Sequence, residues 1–179
     1  MEAIRVSFLT PGEAYQLITN PEPDFPLDYS ADAIELIIDL TSGQPNLVQH
    51  ICHALVSRYN RQRFAAGHAP PPRFTRDDVA TVIDAPDFDQ GAEVYFSGVW
   101  QQAERSAPDG QPALLRALAP HAAGLSPEEL AQAAGMPLEA TRAALETLQA
   151  HDVVTETVGR CHYTVRLMRR WVLRQQIEG

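Results

Sequence analysis

Apolar positions along the chain recur mostly at helical spacing. The clearest stripe is Leu47, Val48, Ile51, Cys52, Leu55, Val56 and Tyr59, the i, i+1, i+4, i+5 repeat of a helix with one buried face. Ahead of it, Thr10-Pro11-Gly12-Glu13 has the form of a capping box with proline at the first helical position, and Ala14, Leu17 and Ile18 follow at core spacing. That helix is predicted to stop near Asn20-Pro21, because a proline disfavours helix in the residue before it. Ser30 is placed to cap a second helix whose apolar face is Ile34, Ile37, Ile38 and Leu40-Thr41. Ser42-Gly43-Gln44-Pro45 breaks it and starts the long stripe. Thr75 caps a short helix through Asp78, Val79, Val82 and Ile83. A longer helix is expected over Phe88–Ala103, with Val94, Tyr95, Val99 and Trp100 inward. Strand-like alternation opens the chain at Ile4-Arg5-Val6-Ser7-Phe8. A lone strand cannot form a sheet, so it reads as the last strand of something larger.

After the turn signal Pro108-Asp109-Gly110 the pattern changes to a compact series. Leu114, Leu115 and Leu118 mark one helix. Ser126-Pro127-Glu128-Glu129 is a second capping box, leading to Leu130 and closing at Gly135. Pro137 opens a third helix with Leu138, Thr141, Ala144-Leu145 and Leu148 inward. Two β-prone runs, Val153–Glu156 and His162–Val165, flank Gly159-Arg160, and a last helix carries Leu167, Met168, Trp171 and Val172. Three helices followed by a hairpin is the order of a winged helix-turn-helix. The expected fold is therefore mainly α: a helical bundle followed by a winged helix with a small β-wing.

Composition narrows the chemistry. The 179 residues carry a net charge of −9, and all 14 basic residues are arginines. Without lysine there is no P-loop lysine, Schiff-base lysine or kinase strand lysine, and no glycine-rich phosphate loop stands in for them, so no catalytic residues are assigned. A sequence pI near 5.0 weighs against general nucleic-acid affinity. No run is long enough for a membrane helix, and the Met1–Arg5 start does not read as an export signal, so Cys52 and Cys161 are taken as reduced thiols in a cytoplasmic protein.

Other constellations resolve to structure. His50 and His53 share a helix face, but Cys52 belongs to the apolar stripe and nothing completes a tetrahedral set, so no metal site is assigned. Asp87-Phe88-Asp89-Gln90-Gly91 lacks the third aspartate and the distal glutamate of a calcium loop, and reads as helix capping. Cys161 and His162 are adjacent on a strand and point to opposite faces.

One run goes further. Leu40-Thr41-Ser42-Gly43-Gln44-Pro45-Asn46-Leu47-Val48-Gln49-His50-Ile51-Cys52, with Arg169-Arg170-Trp171 near the end, resembles the lid and winged helix of bacterial and archaeal AAA-like ATPases of the STAND type. The resemblance implies a core strand at 1–9, a helical lid subdomain at 10–109 and a winged-helix domain at 110–179. It implies that Gly43, Gln44 and Pro45 lie against the adenine of ATP or ADP, bound with Mg in a parent ATPase core. That core would be the partner, and this chain a non-catalytic regulatory region that switches with nucleotide state. Asn46, Gln49 and His50 stand where AAA+ lids place an early arginine. Val165-Arg166 stands where some relatives have histidine and aspartate. Both departures weigh against direct phosphate contact.

Arginines cluster on the last helix. Arg166, Arg170 and Arg174 fall at i, i+4, i+8, with Arg169 beside them, and form a docking or nucleic-acid face. The presumed recognition helix, Pro137–Ala150, sets Arg142 against Glu139 and Glu146, so DNA binding is expected to be weak at most. A free-standing winged-helix DNA-binding regulator and a protein-interaction adaptor are the alternatives.

Overall fold

Reciprocal caps start three of the helices among the described residues. Thr10 with Glu13, Thr75 with Asp78 and Ser126 with Glu129 each exchange side-chain and backbone hydrogen bonds across a first turn. Each box satisfies amide donors that a helix N-terminus otherwise leaves open. The computed structural model describes residues 8–20, 22, 24–66 and 71–178. The strand expected at Ile4–Phe8 lies outside them except for Phe8, which is irregular, and most of the Gly67–Pro72 connection also lies outside. The chain falls into two compact units, 1–92 and 93–179.

The first unit packs α1 (Pro11–Thr19), α2 (Ala31–Thr41), α3 (Pro45–Ala66) and α4 (Arg76–Asp84) together, and ends in the first turn of α5 (Phe88–Arg105). Its core holds Ala14, Ile18, Ile37, Leu47, Val48 and Ile51, all nearly inaccessible. Cys52, Val56 and Tyr59, expected in the same stripe, are half-buried, because they flank its centre line. Between α2 and α3 the backbone turns through left-handed conformations at Ser42 (φ 50°) and Gly43 (φ 75°). Two-residue strands β1 (Asp28–Tyr29) and β2 (Arg73–Phe74) pair in parallel and bring the Tyr29 and Phe74 rings to 5.1 Å. Residues this few carry no period that a sequence can show.

In the second unit, the remainder of α5 is followed by α6 (Gln111–Leu118), α7 (Pro127–Ala134), α8 (Leu138–Ala150), the antiparallel hairpin β3 (Val154–Thr157) and β4 (Arg160–Tyr163), and α9 (Arg166–Glu178). A bridge between Leu125 and Cys161 ties the α6–α7 connection to the hairpin. Leu114, Leu115, Leu118, Leu130, Leu148 and Leu167 fill the core, so a helical bundle followed by a winged helix-turn-helix is the observed architecture. Val158 (φ 51°) and Gly159 (φ 71°) make the two-residue turn, both left-handed as a tight hairpin requires.

Two expectations differ. Val94 is 85% exposed, and Phe96 is buried in its place. At 100° per residue, Val94 lies about 200° around the helix from Phe96 and cannot share its face. The sequence-based boundary at 109/110 falls inside the second unit, and the units divide within α5. Phe96 stacks near Trp171 at 5.9 Å, and Trp100 meets Trp171 at 6.0 Å and the Arg116 guanidinium at 4.8 Å, which ties this stretch to α6 and α9. No helix among the described residues is long and apolar enough to cross a membrane.

Candidate nucleic-acid interface

Helix α8 turns Thr141, Ala144, Leu145 and Leu148 inward. Its other side exposes Glu139, Ala140, Arg142, Ala143, Glu146 and Ala150. Gly135 ends α7 in a left-handed conformation (φ 65°), and its amide returns to the last turn of that helix. Arg142, the only cation of α8, reaches back to α7, where its Nη2 lies 2.9 Å from Glu128 Oε1. The backbone amide at Glu128 and this guanidinium hold the Glu128 carboxyl below the usual carboxylate range. The helix-turn-helix is thus clamped by the one side chain best suited to meet a phosphate or a guanine.

The wing is fastened similarly. Arg160 donates from Nε to Ala123 O (3.1 Å) and from Nη2 to Gly124 O (2.8 Å), and pairs with Glu129 Oε2 at 3.1 Å. Thr155, Glu156 and Thr157 are exposed, and Val158 at the tip is 96% exposed. Under the wing, Cys161 is fully buried, and burial, with Glu156 and Glu128 nearby, pushes its thiol up to about 11. Tyr163 is buried with its hydroxyl donating to Leu115 O, and burial raises its pKa.

On α9, Arg166 is exposed, while Arg169, Arg170 and Arg174 are half-buried. Arg169 Nη2 points to Pro120 O at 3.5 Å, and Arg166, Arg170 and Arg174 are engaged within the protein. Trp171 of the Arg-Arg-Trp run is buried and donates to Glu93 Oε2 at 2.9 Å.

Gly43, Gln44 and Pro45 lie in the first unit and have structural work there. Leu9 N–H donates to Gly43 O at 2.9 Å, and a Cβ on Gly43 would fall 2.3 Å from Leu9 O. Gln44 is buried, and its Oε1 accepts from Leu47 N–H at 2.8 Å, capping α3 behind Pro45. His50 is half-buried rather than a plain surface residue, with Nε2 2.9 Å from Phe88 O. Among the described residues no three His, Cys, Asp or Glu side chains converge as a metal site.

The second unit is a winged helix-turn-helix by geometry. The IclR helix-turn-helix domain family matches residues 113–157, from inside α6 to the end of β3. No curated protein matches the chain. The family match corrects the resemblance to a STAND-type ATPase lid and winged helix, because the segment which that resemblance gave to an ATPase is of a type found in transcription regulators. The adenine contact of Gly43, Gln44 and Pro45 and the ATP or ADP with Mg were carried by that resemblance alone, and nothing supports an ATPase core as partner. The expectation that DNA binding is weak at most is opposed by the same match, since an IclR-type helix-turn-helix points toward DNA as a partner. The type was out of reach of short motifs, because it is spread over the spacing of α6, α7 and α8.

Proposed function

We propose that this chain is a winged-helix DNA-binding regulator in which α8 is presented to the major groove. The observation that carries the reading is the complete order α6–α7–α8–β3–β4, which the IclR-type match covers from within α6 to the end of β3. Exposed Arg142, Glu139 and Glu146 and half-buried Gln149 are groups that read base edges: arginine suits guanine, glutamate the cytosine amino group and glutamine adenine. Arg166, Arg169, Arg170 and Arg174 add positive charge to the same unit and support encounter with a polyanion. Selection from a random duplex pool by the full chain tests the reading. The expected result is enrichment of a short base-preferring site that Arg142→Glu no longer binds. Recovery of unenriched sequence removes it.

One observation favours a second reading, a winged helix that docks on protein. The exposed face of α8 holds two glutamates against one arginine, and that arginine is already paired with Glu128. The same selection separates the two, since a protein-docking helix enriches no sequence.

A further inference from the structure

We propose that the groove between α3, α4 and the start of α5 is a binding site for a small organic acid with an apolar body. The groove encloses about 430 Å³ within the first unit. Its apolar wall is Ala54, Val82, Ala85 and Phe88. Its polar side is cationic, with Arg58 and Arg61 beside His50 and His53, and Asp87 is the one carboxylate among the described lining residues. This inverts the surrounding charge, because residues 1–92 hold thirteen acids against six arginines.

Arg58 is matched by the fold through one long ion pair, with Nη1 3.9 Å from Asp78 Oδ1. Its Nη1 is buried with no hydrogen-bond partner among the described residues. The separation from Asp78 Oδ1 is beyond hydrogen-bond range. Asp78 is committed elsewhere: its Oδ2 accepts from both Thr75 N–H and Thr75 Oγ at 2.9 Å as the cap of α4. The half-buried Arg58 side chain and the exposed Arg61 both line the groove, and a carboxylate matches guanidinium geometry and charge.

The His50 end of the groove is fixed by packing. Phe88 O can only accept, so His50 Nε2 carries the proton between them. The His50 and Phe88 rings sit 4.8 Å apart. Gly91 admits this arrangement, because a Cβ there would lie 2.1 Å from the His50 ring. A glycine inside a helix is less favourable than alanine, and here its missing side chain is where the imidazole rests. The result is a tilted His50–Phe88 ring pair in the lining of the same groove as the two guanidinium groups.

The inference does not rest on DNA binding and has its own readout. In the full chain, the imidazole NMR signals of His50 and His53 are followed while benzoate, phenylacetate or succinate is added, with benzylamine as the control of opposite charge. Saturable shifts are expected with at least one acid and none with benzylamine. Arg61→Gln, at an exposed position, and Arg58→Gln are each expected to weaken that acid about tenfold. Should Arg58→Gln unfold the protein, Arg61→Gln decides. Equal binding of benzylamine, unsaturable shifts with all three acids, or unchanged affinity in Arg61→Gln would overturn the proposal.

Discussion

Gly43 joins two constraints that are usually met separately. Its φ of 75° already excludes most side chains, and the backbone of Leu9 occupies the space a Cβ needs. Gly43→Ala is therefore expected to cost about 2–4 kcal/mol, from left-handed strain plus the displaced Leu9–Gly43 hydrogen bond. Urea unfolding of the variant measures it, and a loss within about 0.5 kcal/mol, the range of ordinary surface changes, would mean that Leu9 does not dock there. Cys161 gives a pH signature. Its thiol is raised from 9.0 to about 11 in the folded protein. Between those values the unfolded chain has released a proton that the folded chain retains, so this group's contribution to stability declines as pH rises through 9 and levels off near 11. Comparing wild type with Cys161→Ala across that range isolates the contribution, and parallel curves would show that the buried thiol is not coupled to folding. These residue-scale features were partly readable. The apolar stripe placed Cys52 near the core, but only the fold sets Tyr29 against it, and burial raises the pKa of both groups.

Legibility among the elements followed the strength of local chemistry. The boxes at Thr10, Thr75 and Ser126 and the left-handed cap at Gly135 are short-range devices, and the sequence states them outright. The β1–β2 pair depends on residues far apart in sequence, and the facing of α5 depends on which aromatic finds Trp171. Neither is a local property, which is why the sequence does not show β1 and points to Val94 as core. The α7–α8 clamp is also a contact of the folded state. Its consequence is measurable, because Glu128 both removes a positive charge from circulation and adds a negative one beside α8. Glu128→Gln is expected to release Arg142 and raise duplex-DNA affinity about three- to tenfold at low salt, roughly the worth of one added phosphate contact. Unchanged affinity in an anisotropy titration would place the DNA-facing surface away from Arg142.

Across the whole molecule, charge works against the proposed partner. Residues 1–92 hold thirteen acids against six arginines, and residues 93–179 hold ten against eight. Any DNA complex must therefore lean on a few arginines and on base contacts, and its affinity is expected to fall steeply with salt. The sequence carried the architecture of the second unit in full order, but its resemblance to an ATPase lid did not survive the IclR-type match at 113–157. Gly43, Gln44 and Pro45 can stand in a run like that for reasons of chain geometry alone. The most direct test of the central claim is an amide NMR titration of the full chain with duplex DNA at low salt. Shifts concentrated in Glu139–Ala150 of α8 and in the wing residues Thr155–Arg160 are the predicted result. An unperturbed spectrum, or shifts that leave α8 untouched, would contradict it.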